Sequence, residues 1–129
     1  IAASYVGEMF ENNSSASCTT SAFSAVATIT LTTGVWLVSG TSNSDNNSNV
    51  TGHTSRLDIK GTSGSVAGKT ILTTLNGAAT PGSNQDTLTF CSRVVVVATA
   101  DATKTIVVSA QANGATSTIS GYVVGVRIA

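Results

Sequence analysis

The chain has 129 residues and weighs 12.9 kDa, with 21 Thr, 18 Ser, 15 Val, 12 Gly and 9 Asn, a length that suits one compact domain burying about two-thirds of the surface its unfolded chain exposes. Charged residues are only 9%, six bases against six acids, which excludes the clustered basic surplus of a nucleic-acid module; 41% apolar residues at zero net charge exclude a disordered chain. The longest apolar run, residues 94–98, is far short of the ~18 residues of a membrane span, and a surface without net charge favours association.

In chain order, apolar residues recur with period two and good helix formers are sparse, the pattern of strands. Residues 25–31 place Ala25, Ala27, Ile29 and Leu31 on one face and Val26, Thr28 and Thr30 on the other. After a turn at Thr33-Gly34, residues 35–39 are apolar on both faces around Trp36 and Leu37, which predicts a central strand. Residues 41–51 hold no apolar side chain but Val50 and are read as a solvated loop within the long connection 40–54. Residues 56–60 alternate, with Leu57 and Ile59 in and Arg56, Asp58 and Lys60 out. Residues 69–75 form a further strand ending at Asn76-Gly77, followed by a second long connection, 78–86. Residues 88–99, 105–112 and 117–128 complete the set as an expected meander, turning at residues 100–102 and at Asn113-Gly114. Seven or eight short strands with unequal connections predict one all-β domain over 1–129, a jelly-roll-like β-sandwich of about eight antiparallel strands.

Few residues offer catalysis or metal chemistry. Residues 63–70 (SGSVAGKT) imitate a phosphate-binding loop, but Ser63 stands where the first Gly belongs and a strand follows instead of a helix, so no nucleotide site is assigned. His53 is the only histidine; flanked by Gly52 and Thr54 and without a nucleophile elbow, it reads as a solvated loop residue. Glu8 and Glu11 lack the further oxygen ligands of a cation site. No metal or cofactor is expected, and no enzymatic activity, since glycoside cleavage alone usually needs a carboxylate pair. Asn12, Asn13, Asn46 and Asn49 open Asn-x-Ser/Thr triplets that matter only in a glycosylating pathway. Trp36, at the middle of a strand, is assigned to the core. Cys18 and Cys91 are read as buried thiols, with pairing left open. The start at Ile1 carries no signal-peptide pattern and suggests a fragment of a longer protein, while the strand running into Ala129 suggests a true end.

Two surfaces follow. Residues 94–97 and 122–126 are apolar on both faces, more than a two-layer sandwich hides, so Val94, Val96, Tyr122, Val124 and Val126 are candidates for a subunit interface, although alternation alone leaves open which face is core. The long polar connections, through Asn43, Asp45, Asn46, Asn47, Asn49 and His53 and through Asn84, Gln85 and Asp86, are candidate exposed contacts, their amides and hydroxyls matching the neutral polyol surface of glycans.

Residues 29–40 (ITLTTGVWLVSG), Gly7-Glu8 near the start, and residues 106–111 followed by 121–129 (GYVVGVRIA) resemble the C-terminal regions of tailed-bacteriophage tail fibres and tail spikes, in the same order along nearly the whole chain. Residues 40–90 depart from that pattern. The resemblance implies a homotrimeric jelly roll like those of tumour necrosis factor and complement-type ligands, at the distal tip of a fibre. It implies a virion component assembled in the bacterial host cytoplasm, non-catalytic, and binding a host cell-surface polysaccharide or outer-membrane receptor. The alternatives are a decoration or trimerisation module without ligand, and a bacterial carbohydrate-binding module.

Overall fold

The computed structural model describes residues 6–46, 53–60, 71–75 and 85–129, with side chains over 6–44, 53–60 and 92–129. Eight strands run in the order β1 (Met9–Cys18), β2 (Ser24–Thr32), β3 (Gly34–Asn46), β4 (His53–Lys60), β5 (Ile71–Leu75), β6 (Gln85–Val97), β7 (Thr103–Ala112) and β8 (Ser117–Arg127), with a 3-10 turn at Thr99–Asp101. They form two four-stranded sheets, β1-β8-β3-β6 and β2-β7-β4-β5. Every pairing is antiparallel, and the pairs nest: β1 with β8, β2 with β7, β3 with β6, β4 with β5. Strands β3 with β8 and β4 with β7 then close each sheet. This is the connectivity of a jelly roll, a long antiparallel ribbon of strands 1–4 against strands 8–5 wrapped into two layers. No helix among the described residues is long and apolar enough to cross a membrane.

The last three strands are not a meander. Strands β6 and β8 lie in the first sheet and β7 in the second, so each tight connection crosses between layers. The 3-10 turn and Ala102 at φ 59° swing the chain across after β6. Period two reports which face a residue occupies and is silent on which sheet its strand joins.

The core fills the space between the layers with Leu31, Trp36, Val38, Leu57, Ile106 and Val123, each at most 1% exposed. Trp36 is in the core as its strand-centre position implies; its Nε1 donates to the Thr32 carbonyl at 2.9 Å and its ring lies 5.4 Å from that of Phe10. Gly40 permits the layers to approach, since a Cβ there would sit 2.8 Å from Val108 Cγ2. Cys18 is a free, buried thiol, and burial raises its pKa.

Three faces differ from the alternation. In β2 a bulge between Ala25 and Ala27 turns Val26 into the core and leaves Ala25 exposed. Asp58 is buried, not outward and solvated: its Oδ2 accepts from Ser109 Oγ at 3.0 Å and from Arg56 Nε at 2.9 Å, the partners a buried carboxylate requires. Residues 41–46 continue β3 as ladder in place of the expected loop, and residues 47–51 of that expected loop lie outside the described residues.

Candidate functional site

The outward face of the first sheet can be assembled row by row, because directly paired residues share a face. One row runs Met9, Val126, Leu37, Val94 across all four strands. The adjoining row toward the chain ends pairs Val35 with Val96, and Ile128 N donates to the Val35 carbonyl at 2.8 Å. Met9, Leu37, Val94, Val96 and Ile128 are 53, 43, 52, 56 and 45% exposed, with Val35 and Val126 half-buried beside them. These five are all but one of the exposed large apolar side chains among the described residues, the other being Val6. Contiguous exposed apolar patches are where proteins make contacts with partners, membranes or ligands.

Beneath the band, the end of the sandwich is closed by charge. The Arg127 guanidinium lies 5.6 Å from the Trp36 ring centroid and 3.7 Å from Glu8 Oε2. It occupies the position a Cβ on Gly34 would take, at φ +149°, which makes glycine the residue that fits there.

Going the other way along the strands, the face becomes polar. The next rows are Glu11, Val124, Ser39, Ser92, and then Asn13, Tyr122, Thr41 and, by register, Phe90. Tyr122 OH donates to Glu11 Oε2 at 2.5 Å, a diagonal contact across the β1–β8 seam. That hydrogen bond to the carboxylate, with some desolvation, raises the phenol pKa. Beyond it, Ser15, Ser120 and Asn43 share a row, and Asn43 Oδ1 is buried without a hydrogen-bond partner.

The five interface candidates all fall on this face: Val94 and Val96 exposed in the apolar band, Val126 half-buried within it, Val124 at its border, and Tyr122 in the polar half. The sequence reading missed Met9, Val35, Leu37 and Ile128. Their signal was the register itself, which no single strand discloses.

The contact candidates divide differently. Strand pairing brings Asn43, Asp45, Asn46, Gln85 and Asp86 to one end of the sandwich, with Asp45 directly opposite Asp86 and Asn46 opposite Gln85. Asn47, Asn49 and Asn84 lie outside the described residues, as does the segment 63–70. His53 is a correction: it opens β4, faces the interior and is fully buried. Its Nε2 lies 2.7 Å from Ser42 Oγ and its Nδ1 2.9 Å from Ser44 Oγ, while Ser42 is hydrogen-bonded to Ser55. Burial lowers its pKa to about 4. A neutral imidazole with both nitrogens engaged ties β3 of one sheet to β4 of the other, and it contacts no ligand from there. Among the described residues, no group of three or more His, Cys, Asp or Glu is placed to hold a metal ion.

The chain matches no protein-family model and no curated protein. Among solved structures it is similar to the VP2 subviral particle of infectious bursal disease virus, with a TM-score of 0.56 and 11% identity over 93% of this chain and 32% of that one. The chain thus spans about a third of the length of that protein, and the likeness is one of fold. Looser likenesses, which carry no argument, are to Bacillus endospore appendages that form disulfide-linked pili (TM-score 0.41, 10% identity, 100% of this chain and 96% of that one) and to the enzymatically active domain of bacteriophage CBA120 tailspike protein 4 (TM-score 0.39, 14% identity, 87% and 19%).

Proposed function

We propose that this domain is a virion structural module, the distal tip of a phage tail fibre or spike, which trimerises through the apolar band of its first sheet and contacts a host cell-surface receptor through its polar end without catalysis. The observation that carries the reading is the band itself: Met9, Leu37 and Val94, each roughly half exposed, stand in register with half-buried Val126 across four strands, and Val96 and Ile128 are exposed beside them. Burial of such a row stabilises an assembly by about 25 cal/mol per Å² of apolar surface. The jelly-roll fold, used by a viral capsid protein, and the resemblance of residues 29–40 and 121–129 to tail-fibre ends support the setting. A trimer also triples each weak polar contact, so that avidity of ~10² or more arises without a tight single site.

Two measurements test this. Sedimentation equilibrium of the isolated domain is expected to give three times the 12.9 kDa chain mass; a single-chain mass at all concentrations overturns the assembly. The soluble domain is expected to slow adsorption of the virion that carries it onto host cells. A trimer that leaves adsorption unchanged favours a structural module without ligand.

A further inference from the structure

The polar half of the same sheet face has no assigned role, and its chemistry is specific enough to name a ligand class. We infer that the surface around Tyr122 is a subsite for uncharged hexopyranose chains, with Tyr122 as the stacking platform and Glu11, Asn13 and Thr41 as hydrogen-bonding partners. This deepens the receptor-binding reading above and rests on it.

Four observations converge. First, Tyr122 is the only aromatic side chain described on this face, and its orientation is set by donation to Glu11 Oε2 at 2.5 Å across the seam between two strands. A phenol held by its own hydroxyl presents its ring with little rotamer entropy left to lose on binding. Aromatic rings offer an apolar body to the C–H face of a sugar and a polar tip beside it. Second, its row also holds Asn13, Thr41 and, at the β6 register position, Phe90, and the flanking rows hold the polar residues Ser39, Asn43, Ser15 and Ser120 beside Val124. Amides and hydroxyls both donate and accept, as a sugar hydroxyl does.

Third, the face is selective by charge. Its described positions hold no Lys, Arg or His, while Glu11 lies on it and Asp45 and Asp86 share its register position further along. Among the described side chains of the face, an anionic sugar would meet the like charge of Glu11. Fourth, Tyr122 lies two rows from the row Met9, Val126, Leu37, Val94, about 13 Å at the rise of an extended strand. Packing confined to the band would therefore leave the ring accessible. A site spread over three strands suits a chain lying across them, bound weakly per copy and multiplied by assembly.

The test is an NMR titration of the domain with cellohexaose, maltohexaose and chitohexaose as neutral probes and hexagalacturonate as the anionic one, following the backbone amides of β1, β3 and β8 in every protein and the Tyr122 ring protons, assigned with Tyr122→Phe, in the parent. At least one neutral probe is expected to shift that ring and saturate with a Kd on the order of 1 mM. Tyr122→Ala is expected to weaken binding by tenfold or more at unchanged Tm, Tyr122→Phe by less, and hexagalacturonate is expected to leave the ring unmoved. The inference is overturned if no neutral probe moves the ring up to about 20 mM, or if Tyr122→Ala binds as the parent does. The two readings fail separately: should the domain block virion adsorption and Tyr122→Ala block it equally, the subsite falls while receptor binding stands. A neutral probe held at Tyr122 by a domain that never slows adsorption has the opposite meaning.

Discussion

His53 shows how a polar side chain can be structural. Its neighbours Gly52 and Thr54 give it the local character of a loop, yet His53, Ser55, Leu57 and Ile59 alternate along one face of β4, and that face is interior. The signal was present as a period. It was masked because the partners that make burial tolerable, Ser42 and Ser44, sit on another strand in a stretch equally poor in apolar residues. A buried imidazole held near pKa 4 against 6.5 in the unfolded chain binds its proton less readily when folded, so the unfolded state gains as acid is added. Its contribution is complete above about pH 6.5 and is lost as pH falls toward 4, by up to about 3 kcal/mol at ~1.4 kcal/mol per pKa unit. Urea unfolding at pH 7, 5.5 and 4 is expected to show this loss in the parent. The His53→Gln variant, which keeps hydrogen-bonding capacity without the titration, should show a smaller one; equal slopes in the two proteins would exclude His53 as the source.

At the scale of elements, strands were legible and their partners were not. Strands β2, β3, β4, β7 and β8 announce themselves by alternation, and Trp36, Ile29, Leu31, Leu57 and Ile59 were assignable to the core from it. The bulge at Val26, the buried Asp58 and the crossing of β7 to the other layer were not, because each depends on a neighbour distant in sequence. The turn after β6 bears a mark of that crossing. Ala102 takes φ 59° and ψ −55°, a region in which a Cβ is strained and glycine is not. Ala102→Gly is expected to stabilise the domain by about 0.5–1 kcal/mol despite the freer unfolded chain, and Ala102→Val to destabilise it by more than that. Thermal melts of the three proteins measure this; a lower Tm for Ala102→Gly would mean that the strain is absent.

For the whole molecule, the outward face of the first sheet divides into a greasy half and a polar half, and the two make opposite demands on the solvent. Strand positions predicted the grease at Val94, Val96 and Val126, but only the sheet order shows that Leu37 and Met9 from β3 and β1 complete the row. Such a row carries no charge, so association through it is expected to change little between about 0.05 and 0.5 M NaCl, where ion-paired interfaces weaken. It is expected to tighten in ammonium sulfate, which strengthens apolar burial. Leu37→Lys and Val94→Lys place two cations side by side in register, and across an interface each would face the other copy's apolar row unpaired. The double variant should run as a single chain at concentrations where the parent assembles. Its Tm should remain close to that of the dissociated parent, since surface substitutions usually shift stability within about 0.5 kcal/mol. Sedimentation with parallel melts separates the outcomes. Assembly that survives both lysines must use another surface, whereas an unfolded variant would show that the exposed half of the row is sustaining the sheet itself.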